Sequence, residues 1–233
     1  ITTGDRNVAV GFEAGKSIST GGENVAIGYQ ALATEDGHGL NIAIGSEALE
    51  NLNAGADANT VAVGHNAGKS LTTGTTNTLI GALAGDALTV GSENVAIGDL
   101  ALSADTKGSR NVAIGRAALD NQNFTSATNS FNTAVGYDAG GAITTGIQNT
   151  LIGGNAGDAI SDADENVAVG YNALSVNELG SKSVAVGHNA LLFQNPGSAT
   201  DMYNVAVGYG TGAQVTTGTS NTLVGGLAGD ALD

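Results

Sequence analysis

Along this chain one arrangement of polar and apolar positions keeps returning: an Asn, three apolar or β-branched residues, then Gly, as in Asn24-Val25-Ala26-Ile27-Gly28. It starts at Asn7, Asn24, Asn41, Thr60, Asn77, Asn94, Asn111, Asn132, Asn149, Asn166, Ser183, Asn204 and Asn221. The interval is 17 residues except for one of 19 and two of 21. A fixed period across a whole chain is the mark of a solenoid, in which each repeat is one coil that buries its apolar face only by stacking on its neighbours.

Numbering each coil from its Asn as zero, position +4 is Gly in all thirteen copies and +3 is always Val or Ile. Position +1 is Val, Ile or Thr, and +2 is Ala except for Leu79, Leu151 and Leu223. Three such residues closed by an obligatory Gly predict a short strand ending in a tight bend. Side chains alternate across a strand, so +1 and +3 share one face. The larger residues are expected inside, making Val8, Val10, Val25, Ile27, Val95 and Ile97 core positions, with the small +2 residue outside. Gly28 and Gly98 are the bends. Asn24 and Asn94 are expected to stack in a hydrogen-bonded ladder along the coils, a use to which Asn is suited.

Further along, the coils divide into two kinds. Leu32, Leu49, Leu102, Leu119, Leu174 and Leu191 occupy +8 in some. The others have Gly at +8 and an apolar residue at +11: Ile18, Leu71, Leu88, Ile143, Ile160, Val215 and Leu232. Only the Asn41 coil carries both, through Leu49 and Leu52. One large apolar residue per coil, supplied from either place, keeps a thin core at constant volume. Both positions are therefore expected to face inward, on a second strand. The fold class predicted is all-β, a parallel β-solenoid of thirteen coils forming one continuous domain over 1–233. At the parallel-strand spacing of about 4.8 Å it would be a rod roughly 60 Å long.

A second period lies above the first. Thr60, Asn132 and Asn204 are 72 residues apart and open matching four-coil blocks. The fourth coil of a block carries a longer loop, Asp120 to Phe131 or Leu192 to Tyr203, with a shorter Glu50 to Asn59 before the first. Ile1-Thr2-Thr3-Gly4 matches Ile143-Thr144-Thr145-Gly146 and Asp233 falls in mid-repeat, which reads as a slice of a longer fibre.

Composition narrows the function classes. Gly supplies 37 of 233 residues, aromatics are 4%, and Trp and Cys are absent. That leaves little to fill a thick globular core and no disulfide or thiolate metal site. The formal charge of −15 disfavours nucleic acid as a partner. No apolar run is long enough to span a bilayer and no signal-peptide pattern occurs, so membrane insertion by this segment is not expected.

Candidate chemistry is sparse. His65 and His188 share +5 but lie seven coils apart, roughly 34 Å at the strand spacing, and His38 falls elsewhere in its coil. No catalytic residue, cofactor or metal is expected. Gly11 to Ser17 and Gly64 to Ser70 imitate a phosphate loop, but one residue short and with no helix following. Asp162, Asp164 and Glu165 form a dense acidic cluster, read as a solvated loop. Asp86, Asp158 and Asp230 are four coils apart. Surface contact is the remaining possibility. Position +5 collects Tyr29, Tyr137, Tyr171 and Tyr209, rings placed to stack on sugars or to pack on a neighbouring subunit. The long loops hold Phe124, Phe131, Phe193, Met202 and Tyr203, and loops on a rigid scaffold are where binding tends to reside.

Asn132-Thr133-Ala134-Val135-Gly136-Tyr137-Asp138-Ala139-Gly140 and Asn24 to Leu32 resemble the head repeats of YadA-like trimeric autotransporter adhesins, and equally the repeats of phage tail-fibre-like proteins. The resemblance covers the whole chain. It implies a left-handed β-roll assembled as a homotrimer, in an extracellular fibre on a bacterial surface or virion. The implied role is non-catalytic host attachment, with a host-cell or surface receptor, a glycan among the candidates, as partner. The coils are longer than adhesin repeats usually are, and the chain shows neither a neck motif nor a membrane anchor, so adhesin and tail fibre both stay open. A rival reading is a monomeric ice-binding solenoid, for which Thr-Thr-Gly recurs only once in four coils. A weaker one is a glycan-cleaving enzyme.

Overall fold

A computed structural model describes residues 3–232; the ends of the repeat match at Ile1, Thr2 and Asp233 lie outside the described residues. The chain divides into two compact units, one running through Asn111 and including Asn123–Asn129, the other comprising Val112–Gln122 and the chain from Ser130 onward. Both are parallel β-solenoid, thirteen turns in all, and no helix occurs among the described residues.

In the first unit the strands Val8–Val10, Val25–Ile27, Ile42–Ile44, Val61–Val63, Thr78–Ile80 and Val95–Ile97 pair in parallel with their chain neighbours. In the second, Val112–Ile114, Thr133–Val135, Thr150–Ile152, Val167–Val169, Val184–Val186, Val205–Val207 and Thr222–Val224 do the same. Register is like over like, Val25 on Ile42 and Ala26 on Ala43. The longer 19- and 21-residue coils keep it, because their extra residues are taken up away from the strand.

The faces of the strand are the reverse of those expected. Ala26 and Ala96 are 0% exposed, whereas Ile27 is 36% and Val10 58% exposed. Val8 is also exposed, and Val25, Val95 and Ile97 are half-buried. The reason is the Asn. Positions 0 and +2 share a face, and the Asn side chains are inside: Asn24 and Asn94 are both fully buried. An inward Asn ladder forces +2 inward and +1 and +3 outward.

The ladder is the strongest ordering device in the coil. Asn24 Oδ1 accepts the backbone N–H of Asn41 at 3.1 Å, and Asn24 Nδ2 donates to the carbonyl of His38 at 3.1 Å. Asn94 does the same with the N–H of Asn111 and the carbonyl of Gly108, both at 3.0 Å. Each amide therefore satisfies one backbone donor and one acceptor that the three-residue strand cannot reach, as buried backbone groups require.

Core volume is shared among three positions. Leu at +8 and the apolar residues at +11 are buried, Leu232 in the last coil excepted. Where two successive coils both have Gly at +8, the second has Leu at +2. A Cβ built on Gly140 would lie 2.7 Å from Leu151 Cδ1, and one on Gly157 2.8 Å from Leu151 Cδ2. Leu79 meets Gly68 and Gly85 in the same way, and Leu223 meets Gly212 and Gly229. Those three leucines thus occupy the space that a +8 side chain would otherwise fill.

Among the described residues no second strand carries +8 and +11. After the bend at Gly28 (φ 137°) the chain alternates into left-handed backbone, at Gln30 (φ 52°) and Leu32 (φ 50°). Such φ values break an extended strand, and this part of each coil is a run of turns. The inter-coil bonding continues regardless: Gln30 N–H donates to Phe12 O, and Leu32 N–H to Ala48 O, both at 2.9 Å. The bend glycine is required twice over. Its φ is unfavourable to other residues, and a Cβ on Gly28 would sit 2.3 Å from Gly45 O; Gly98 has the same φ region at 140°.

Candidate binding faces

Three surfaces come out of this geometry. The first is the outer face of the strands. Positions +1 and +3 are Val, Ile or Thr in every coil, with no charged residue among them. Val8, Val10, Ile27, Ile42, Ile80, Ile152, Val207, Thr222 and Val224 are exposed, and the rest are half-buried. Within each unit parallel pairing stacks them into two adjacent rows, an apolar stripe that the chain itself leaves uncovered. The expectation that these residues formed the core hid this face. The signal for it lay in +1, where Thr78, Thr133, Thr150 and Thr222 alternate with Val and Ile: a position that accepts a hydroxyl is a poor core position.

The second surface is the ladder at +5, next to the bend. Tyr29, Tyr137, Tyr171 and Tyr209 are all exposed. Phe12 and Tyr29 stack with centroids 5.7 Å apart and planes 10° from parallel. His188 lies between Tyr171 at 5.4 Å and Tyr209 at 5.1 Å. Arg116 sits over the Tyr137 ring at 5.8 Å. Ring faces that stack on one another are not free to stack on a sugar, so what these coils present outward is chiefly ring edges.

The third is the pair of long loops. They fold back on their units. Gly108–Ser109 pairs with Thr128–Asn129, and Gly180–Ser181 with Thr200–Asp201. Phe124 is only 6% exposed and its N–H donates to Asp105 Oδ1 at 3.4 Å, so it is a covering residue and not a surface contact. Met202 is fully buried as well. Phe131, Phe193 and Tyr203 remain exposed. Lys182 stands over the Tyr203 ring at 5.6 Å and donates to Asp201 Oδ2 at 2.7 Å, which holds the Asp201 carboxyl below its ordinary range.

A set of buried polar residues was not anticipated. Where +8 is Leu and +11 is not, +11 holds Glu35, Asp105, Gln122, Asn177 or Gln194, all fully buried. Asp105 Oδ1 accepts from Gly108 N at 2.9 Å, and Asn177 Oδ1 from Gly180 N at 3.0 Å. Gln122 Oε1 and Gln194 Oε1 accept from the ladder amides Asn132 and Asn204 at 2.8 and 2.9 Å. With Leu filling the core from +8, the +11 side chain instead satisfies the turn. The polarity at +11 in these coils was readable in the chain.

Other charged groups serve the coils. Asp162 Oδ1 accepts from Thr144 Oγ1 at 2.6 Å and Thr145 Oγ1 at 2.8 Å, which lowers its carboxyl pKa. Asp164 Oδ1 accepts from Ile147 N at 2.7 Å. Thr72 and Thr89 hydroxyls donate to carbonyls of the next coil, at 3.0 and 2.9 Å, so these threonines are engaged along the solenoid. Ion pairs cross from coil to coil beside the strand, Arg6 with Glu23 at 2.6 Å and Arg110 with Glu93 at 3.1 Å. No helix among the described residues is long and apolar enough to cross a membrane. Comparison with protein-family models, with curated proteins and with solved structures gives no match.

Proposed function

We propose that the chain is a non-catalytic structural and adhesive segment of an extended extracellular fibre, a left-handed roll assembled as a homotrimer. The fibre is of the trimeric-adhesin or phage tail-fibre kind and attaches a bacterial cell or virion to a host surface. One observation supports this above the others: the uncharged stripe of Val, Ile and Thr at +1 and +3, uncovered in coil after coil on a chain of net charge −15. Contiguous apolar surface on an otherwise polar protein marks an interface. The surface that matches it coil for coil, at the same spacing and without opposing charge, is the same stripe on another copy running in the same direction. Closed rotational symmetry then buries every copy's stripe at once. A stiff scaffold of this kind displays Phe131, Phe193, Tyr203 and the +5 edges repeatedly, so weak contacts with a receptor, a glycan among the candidates, add through multivalency.

Sedimentation equilibrium of the purified segment tests the assembly. Three chains per particle are expected, and Val167→Lys with Val169→Lys should convert them to folded monomers. A wild-type monomer would sink the trimeric reading.

A further inference from the structure

Glu35 departs from the other buried polar residues at +11. Its Oε1 accepts one bond, from the N–H of His38 at 3.1 Å. Its Oε2 has no hydrogen-bond partner, although the side chain is fully buried. At the same place in their coils, Asp105 Oδ1 accepts from the backbone N–H groups of Lys107, Gly108 and Phe124, and Asn177 Oδ1 accepts from Gly180 N while its amide donates to Gly180 O at 2.6 Å. His38 is equally unusual. Its position, +14, is Gly in seven of the nine 17-residue coils, including Gly108 and Gly180, and Ala163 is the other exception. The imidazole Nδ1 is buried without a hydrogen-bond partner and lies 3.6 Å from Glu35 Oε1. Asp36, between them, is exposed.

These three side chains each bring one donor atom within 4.8 Å of the others. Their backbone is held in place. Asp36 O accepts from Ser19 N at 2.7 Å, and His38 O accepts from Asn24 Nδ2 at 3.1 Å. A bare carboxylate oxygen and a bare imidazole nitrogen, buried together, are costly unless something positive lies between them.

We propose that Glu35, Asp36 and His38 bind one divalent transition-metal cation, of which zinc is the representative. Two carboxylates balance its charge, and an imidazole in the set selects a first-row transition metal over calcium or magnesium. Ligands about 2.0–2.2 Å from a tetrahedral ion lie roughly 3.3 Å apart, so small side-chain rotations close the site. The exposed Asp36 side leaves room for water as a fourth ligand. The ion ties the turn of the Asn24 coil and gives a partner to both of its unsatisfied buried atoms, Glu35 Oε2 and His38 Nδ1.

Equilibrium dialysis of the full chain against zinc, read by atomic emission, with thermal melts with and without zinc, tests this. Glu35→Gln and His38→Gly install residues that the chain already carries at equivalent positions, so both should fold, checked by circular dichroism. The wild type should bind one zinc per chain and melt higher with zinc than without. In either variant the affinity should fall by at least ~100-fold, the upper end of what loss of an outer-shell partner brings, and the melting shift should disappear. His188→Ala, at an exposed histidine, should leave both readouts unchanged. No uptake by the wild type, or uptake retained in Glu35→Gln or His38→Gly, overturns the proposal.

Discussion

Replacing Asn149 by Ala tests the inward ladder directly. Asn149 is fully buried. Its Oδ1 accepts the N–H of Asn166 at 3.0 Å, and its Nδ2 donates to Ala163 O at 2.9 Å, with a longer contact to Asn132 Oδ1 at 3.4 Å. Ala removes an acceptor from one buried N–H and a donor from one buried carbonyl. Each such orphan costs about 1–3 kcal/mol, so the variant should lose about 2–6 kcal/mol. Thr provides the graded control, because the chain already uses it. Thr60 Oγ1 accepts from Asn77 N at 3.4 Å and donates to Ala58 O at 3.3 Å, within its own loop. Asn149→Thr keeps an acceptor for Asn166 but cannot reach across to Ala163, so roughly half the loss of the Ala variant is expected. Urea unfolding gives the free energies, and amide exchange at Asn166 reports the local opening, since coils can open separately in a solenoid. A loss below about 1 kcal/mol for Asn149→Ala, on the scale of one ordinary net hydrogen bond, or equal losses for Ala and Thr, would refute the ladder as the ordering device.

Two further outcomes follow from the packing and the charges. Leu151→Ala should cost about 2–5 kcal/mol by opening a cavity between Gly140 and Gly157. The same change should make Gly157→Ala less costly than it is alone, by about 0.5–3 kcal/mol in a double-mutant cycle, because two of the atoms crowding that Cβ belong to Leu151. Asp138→Asn should raise the melting temperature at pH 7. Burial pushes the Asp138 carboxyl above its ordinary range, Asp158 adds to the shift and Arg116 opposes it. A raised carboxyl pKa means the fold holds the proton better than the unfolded chain does, so the contribution is present at acid pH and lost as pH rises through the folded value. The gain from Asn should therefore vanish below the ordinary carboxylate range; a gain that persists there would point to a cause other than charge. Asn is also what the chain carries at this position in Asn66, Asn155, Asn172 and Asn189.

The period, the strand, the bend glycine and the exchange of volume between +8 and +11 were all legible, because each is a constraint repeated thirteen times. The orientation of the strand is legible too, but from the polarity of position 0 and not from side-chain size. Large β-branched residues belong inside a strand of an isolated globule, where the chain must cover its own apolar surface. Here both faces of the strand carry apolar residues, and size does not say which is turned inward. What decides it is the Asn: an amide repeated at position 0 can be ladder-bonded only if it is enclosed, and alternation then carries +2 in with it. Position +1 agrees, since Thr150 tolerates water where Leu151 does not. The turns were harder. Nothing in the residue type of Leu32 announces a φ of 50°, a conformation that costs an isolated Leu about 1–2 kcal/mol. It becomes visible only by noticing that Leu at +8 exchanges with Gly and with nothing else, so that the two share a left-handed backbone, and the Leu coils accept the strain to place a side chain in the core. The same comparison of like positions exposes His38, the residue that stands in a glycine's place beside a carboxylate with an unspent oxygen.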